Sequence, residues 1–253
     1  MINWNMISKI MGALLFFEAA LMSLCLGISV YSGEGDTPAF VTSVGLILLA
    51  AIVFRYFGLK AGNRLSRKDA YMVVTLSWVV FSLFGSLPFM LSGYVNNFTD
   101  AFFENMSGFT TTGATVIDDV EALPHGLLFW RSFTQWIGGL GIVFFTVALL
   151  PSLDGGYVKV FSAEITGPIQ TKLHPRLSMG AKYIWMVYVC LTAACAGCYW
   201  IFGMSPWESI NYAMTSTATG GFSIYNDSME NFHSPALEYT CTTFCFLSGI
   251  NFT

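Results

Sequence analysis

The sequence predicts an all-α polytopic membrane protein in which helix, pore loop, helix units follow two leading helices, and three observations carry that expectation. First, 55% of the residues are hydrophobic and only 10% charged, with mean hydropathy +0.62; soluble domains carry roughly 25% charge. Second, the apolar residues gather into six runs near the length of about 20 residues that crosses a bilayer. Third, a polar Thr/Gly hairpin flanked by apolar segments occurs twice, as Thr110-Thr111-Thr112-Gly113-Ala114-Thr115 and as Thr217-Ala218-Thr219-Gly220-Gly221-Phe222. Aligned glycine on glycine, Gly113 and Gly220 stand 107 residues apart.

The runs fall at Ile10 to Val30, Phe40 to Phe57, Ala70 to Leu91, Leu127 to Leu150, Tyr183 to Phe202 and from Ala236 onward. Lys9 precedes the first; it is long, without a convincing small-residue cleavage site, and reads as an uncleaved helix rather than a signal peptide. Arg55, Lys60, Arg64, Arg67 and Lys68 follow the second run, and Lys159, Lys172, Arg176 and Lys182 follow the fourth. The excess of cations on one side sets that side, with the N-terminus, in the cytoplasm. The opposite loops hold Glu34, Asp36, Asp100, Asp118, Asp119, Glu121, Asp227 and Glu230 and no Lys or Arg. Arg131 alone falls outside the cytoplasmic set, near the outer end of the fourth run, where its stem is expected to snorkel to the interface. Glu18, inside the first run, is a functional candidate by its position, though a helix-interface contact explains it as well.

Between the third and fourth runs, Ala101-Phe102-Phe103 with Met106 and Phe109 has helical periodicity in a segment too polar to cross. Asp100 is expected to cap this short helix, which ends in the Thr/Gly hairpin. The second unit repeats the plan, with Pro206 near a helix start, where a missing N–H is tolerated. A polar loop at membrane depth is stable only where protein buries it or water reaches it. An ordinary extracellular Ser/Thr loop is the plainer reading of either hairpin alone; two at matching positions argue for a pore. The units divide the chain into 1–69, two leading helices and a loop; 70–153, a first repeat; 154–182, a cytoplasmic linker; and 183–253, a second repeat ending within its last helix.

Backbone carbonyls that replace the hydration shell of a monovalent cation require unusual dihedrals, which glycine tolerates. The candidate ligands are the carbonyls of Thr111, Thr112 and Gly113 and those of Ala218, Thr219 and Gly220. The negative end of each short helix favours the cation. Asp118, Asp119, Glu121, Asp227 and Glu230 form an acidic rim that either concentrates cations or is simply a solvated loop. Trp136-Ile137-Gly138-Gly139-Leu140-Gly141 offers small residues for close packing against the hairpin. The six cysteines have no CxxC spacing and read as small packing residues; the three scattered histidines suggest no metal site. Gly155-Gly156 reads as a turn. No paired carboxylates or Ser/His constellation suggests an enzyme, and no nucleic-acid partner is expected. A secondary transporter with discontinuous helices and a midplane site remains the alternative.

Asp100-Ala101-Phe102-Phe103-Glu104 leading into the first hairpin, Gln135-Trp136-Ile137-Gly138-Gly139-Leu140-Gly141-Ile142, Ala218-Thr219-Gly220-Gly221-Phe222-Ser223 and Leu247-Ser248-Gly249-Ile250-Asn251 resemble, in that order, the potassium transporters of the Trk/Ktr/HKT superfamily, and within it the bacterial TrkH subunits. The resemblance implies four helix, pore-loop, helix repeats related to potassium channels around one pore, preceded by two extra helices. It implies a homodimer in the bacterial inner membrane, a cytosolic nucleotide-binding regulatory subunit of the TrkA type, and potassium as the transported ligand with no cofactor in this chain. A filter glycine in every repeat goes with potassium selectivity in that family, and Gly113 and Gly220 match the pattern. Two repeats are expected here, so the sequence reads as the N-terminal half of such a protein.

Overall fold

A computed structural model describes residues 2–59, 61, 66–141 and 177–250. These form helices throughout, with no strand among them: α1 Trp4–Ser32, α2 Thr37–Phe57, α3 Arg67–Gly85, α4 Leu87–Leu91, α5 Phe98–Phe109, α6 His125–Leu140, α7 Leu177–Ile201, α8 Pro206–Thr217 and α9 Pro235–Ser248, with a 3-10 turn at Ser228–Phe232. Four helical stretches are long and apolar enough to cross a membrane: Trp4–Ser32, Thr37–Phe57, Lys68–Leu91 and Tyr183–Ile201. α6 and α9 reach the edges of described segments. Lys60, Arg64, Lys159, Lys172 and Arg176, Gly155-Gly156, most of the 154–182 linker, Ile142 and Asn251 lie outside the described residues.

α1 starts on Asn3, whose side chain accepts the Met6 N–H at 3.1 Å, and stops at Gly33 in the left-handed region at φ 67°. The short turn that follows returns α2 along α1. Close approach depends on two glycines: a Cβ on Gly12 would meet the Ala51 carbonyl and the Arg55 amide at 2.9 Å, and one on Gly58 would meet the Lys9 backbone. α3 begins with a capping box, Ser66 and Asp69 bonding each other's backbone amides. Asp69 also accepts the Asn3 N–H at 2.9 Å, so the starts of α1 and α3 share one end of the bundle with Lys9 and Arg55. The acidic α1–α2 turn is at the other end.

At that end Pro124, the residue before α6, offers no capping side chain. Glu34 supplies the missing acceptor from the α1–α2 turn: its Oε2 accepts the His125 backbone N–H at 2.6 Å, and His125 Nδ1 lies 2.7 Å from Oε1. Asp36, buried beside Gly126, adds a second carboxylate where the helix dipole is positive. Replacing Glu34 with alanine should therefore destabilise the fold by about 1 kcal/mol, the usual value of a lost cap, measurable as a lower denaturation midpoint of the purified full-length protein.

α5 is too short to cross and is wedged between α3 and α6. Asn105 donates its amide to the Phe81 and Ser82 carbonyls, both at 3.3 Å, and Trp130 Nε1 donates to the Gly85 carbonyl at 2.9 Å, where α3 breaks before α4. An aromatic file of Phe81, Phe109, Trp130, Phe133, Trp136 and Tyr188 runs behind it, each ring within 6.5 Å of the next. The α5 cap is Asn97, which accepts the Thr99 N–H at 3.1 Å; Asp100 sits inside the first turn instead, because the helix begins one residue after Asn97. Pro206 opens α8 as expected.

Candidate functional site

α5 and α8 are both twelve residues long, starting at positions 98 and 206, and the backbone geometry at their C-terminal ends recurs at that spacing of 108. The Thr112 amide bonds the Ser107 carbonyl and the Gly220 amide the Thr215 carbonyl, each at 2.9 Å. Thr111 and Thr219 have φ of 52° and 53°, and Gly113 and Gly221 have 78° and 85°. Threonine is strained in this region and glycine is not, so the two tips are built alike down to their unusual residue.

The structural register therefore differs by one from the glycine-on-glycine alignment. Gly221, not Gly220, is the equivalent of Gly113, and Gly220 stands where Thr112 does. Ala218 corresponds to Thr110, and its amide still bonds back into the helix, to Met214, as that of Thr110 does to Met106. The two glycines of the second loop differ in what they need. Gly221 needs its φ. Gly220 needs space, because a Cβ there would run into the Gln135 side chain.

The loops touch: a Cβ on Gly113 would land on the Gly220 carbonyl oxygen. They are also joined by an outer bridge, with Asn226 accepting the Val120 N–H at 2.8 Å and donating to Asp119 at 3.0 Å while Glu121 accepts the Asn226 N–H at 3.0 Å. Two of the five acidic rim residues thus fasten one loop to the other. Glu208, in the first turn of α8, accepts the Tyr225 hydroxyl at 2.6 Å and the Ser205 amide at 2.6 Å. Burial opposes its charge, yet these bonds hold its carboxyl below the usual range, and the same bond to Glu208, with burial, pushes the Tyr225 hydroxyl up to about 12.

Arg131 does not snorkel. It is 2% exposed, with Nε 2.9 Å from Oε1 of the fully buried Glu104. Its other nitrogens donate to the Ser223 carbonyl at 2.8 Å and the Thr115 hydroxyl at 3.4 Å, and its guanidinium lies 4.3 Å above the Phe222 ring. Glu104 also accepts from the Thr115 hydroxyl at 2.9 Å and the Val116 amide at 3.0 Å. A buried guanidinium needs a counter-charge, and Glu104 supplies it from α5. One cation thus holds the first loop, the second loop and α5 together. The signal in the sequence was an acid and a base in neighbouring apolar segments; Gln135 was a similar signal, an amide on the face that packs against the loops.

The second unit makes the contact corresponding to Glu104–Thr115 without charge: Tyr212 takes the place of Glu104 and its hydroxyl lies 2.6 Å from Oγ of Ser223, the counterpart of Thr115. Behind α8, Tyr199 meets Ser216 at 2.7 Å, Thr192 meets Thr217 at 3.1 Å, and Tyr188 donates to the Trp136 carbonyl at 3.0 Å. The small residues of α6 pack as expected, Gly138 against the Phe109 carbonyl and Gly139 against Ala218. Glu18 is fully buried, with no hydrogen-bond partner for its carboxyl among the described residues. The described cysteines are free, and no cluster suited to a metal ion occurs among the described residues.

A family model described as TrkH, cation transport protein, matches residues 40–253. The chain is 38% identical over 254 residues to the Trk system potassium uptake protein TrkH of Vibrio parahaemolyticus, covering 99% of this chain and 52% of that protein. To the TrkH of Escherichia coli K12 it is 34% identical over 252 residues, with the same coverage. The crystal structure of the potassium transporter TrkH from Vibrio parahaemolyticus superposes with a TM-score of 0.84 at 34% identity, over 99% of this chain and 51% of that one. The chain thus spans about half the length of the curated relatives it matches. An all-helical architecture with two matched loops, a family model covering most of the sequence and a solved relative of the same fold agree: this chain belongs to the TrkH family of cation transport proteins.

Proposed function

We propose that the chain forms half of the pore of a potassium-uptake subunit of the Trk type. The observation that carries this reading is the pair of abutting loops, each at the carbonyl end of a short helix and each shaped by the same sequence of left-handed residues. Carbonyls of Thr111, Thr112 and Gly113 in one loop, and of Thr219, Gly220 and Gly221 in the other, line the cation path in this reading; Gly221 is taken in place of Ala218 because its φ matches that of Gly113. Neutral dipoles suit a weakly hydrated monovalent cation that must both bind and leave. The helix ends behind them add negative potential.

In this reading the subunit lies in the bacterial inner membrane with Lys9 and Arg55 on the cytoplasmic side. It works as a homodimer with a cytosolic nucleotide-binding partner of the TrkA type, and uses no cofactor of its own. The relatives are named as transport proteins, and the chain is taken to act without catalysis.

The test is cation flux through the purified full-length protein in liposomes. Rubidium or potassium flux that excludes sodium is the expected result. Saturable solute exchange without passive potassium flux would overturn the pore in favour of a midplane transporter.

A further inference from the structure

Gln135 lies one turn beyond Arg131 on α6 and is fully buried. Its Oε1 accepts the backbone N–H of Phe222 at 3.0 Å. That N–H and the Gly221 carbonyl belong to one peptide group. No cis peptide occurs among the described residues, and in a trans peptide the N–H and C=O point in opposite directions across a plane that resists twisting. Anchoring the N–H on Gln135 therefore aims the Gly221 carbonyl away from α6.

Gly221 is a residue that needs such an anchor. At φ 85°, with no side chain to pack, it has more freedom to rotate than any other residue type. The sequence also makes room for the anchor, since a side chain on Gly220 would collide with Cδ, Oε1 and Nε2 of Gln135. Its Nε2 is buried with no hydrogen-bond partner among the described residues, so the contact with the loop runs through Oε1 alone, and an apolar side chain of the same length would leave the buried Phe222 N–H without that acceptor.

We propose that Gln135 is a positioning residue for cation selectivity: borne on the helix of the first unit, it sets the direction of the Gly221 carbonyl in the second. The proposal rests on the reading of the loops as cation ligands, and the experiment separates the two. Potassium and sodium uptake are compared in the full-length protein and three variants, with recovery of folded protein followed by size-exclusion chromatography. A wild-type protein that does not discriminate overturns the functional reading itself.

If wild type discriminates, Gln135→Met, which keeps length and removes the acceptor, should lower the potassium-to-sodium ratio by about tenfold, equivalent to about 1.4 kcal/mol, while folded protein is retained. Gln135→Glu keeps an acceptor for the Phe222 N–H and should recover most of the ratio. Gly220→Ala, which pushes the intact glutamine aside, should mimic Gln135→Met. Folded Gln135→Met with the wild-type ratio overturns the proposal, as does Gln135→Glu behaving like Gln135→Met. Should Gln135→Met not be recovered folded, Gln135→Glu against Gly220→Ala decides: a wild-type-like ratio in the first and a lowered one in the second supports the strut, and equal ratios overturn it.

Discussion

With the two loops as the cation ligands proposed above, serine in place of Gly113 in the full-length protein is expected to lower discrimination of potassium from sodium by about tenfold, roughly 1.4 kcal/mol of differential binding. Two separate effects act there. The φ of 78° is one that a residue with a Cβ adopts at a penalty of about 1–2 kcal/mol. The added Cβ also lands on the Gly220 carbonyl oxygen, so the disturbance reaches the second loop. Gly221 separates the two effects, because it has a similar φ of 85° but a Cβ added there would meet no atom within 4 Å. Gly221→Ala should therefore be milder than Gly113→Ala in the same flux assay. Equal losses would mean that the collision is irrelevant, and unchanged selectivity in both would remove the loops from the conduction path.

Replacing Arg131 with alanine should have the largest effect on folding. Glu104 would keep its burial and lose its counter-charge, a change that typically removes about 3–5 kcal/mol, and the Ser223 carbonyl would lose its donor. The expected result is little folded protein on detergent extraction. The double variant Glu104→Gln/Arg131→Met, which removes both charges, should recover a substantial part of it, since a buried ion pair replaced by neutral groups is often close to neutral in stability. Recovery in the double variant with severe loss in the single one is the pattern that identifies a pair. If Arg131→Ala alone is folded and stable, the clasp is not what holds the loops.

Four of the six runs were legible as helices long and apolar enough to cross a membrane because apolar runs are a property of composition along the chain, and the two short helices because the same hairpin ended both. What was not legible is what depends on conformation or on distant partners. Matching Gly113 to Gly220 followed residue identity, while the backbone matches Gly113 to Gly221 by φ; in the first unit a threonine occupies the place of Gly220, so identity misled by one position. Arg131 is 27 residues from Glu104, and no local pattern ties them. The helix cap of α6 comes from Glu34, 91 residues earlier, which no capping motif beside Pro124 announces. The acidic rim was read by its charge alone, and only the structure assigns Asp119 and Glu121 to Asn226.

The different answers that the two units give at positions 104 and 212 limit how far one unit can stand in for the other. A buried carboxylate at position 104 is tolerable only with Arg131 beside it, whereas Tyr212 meets its own hairpin through a neutral hydroxyl. Grafting the first hairpin and its short helix into the place of the second would import an acid and leave its base behind. The two units have separate dependencies, and a chimera that swaps them has to move α6 as well.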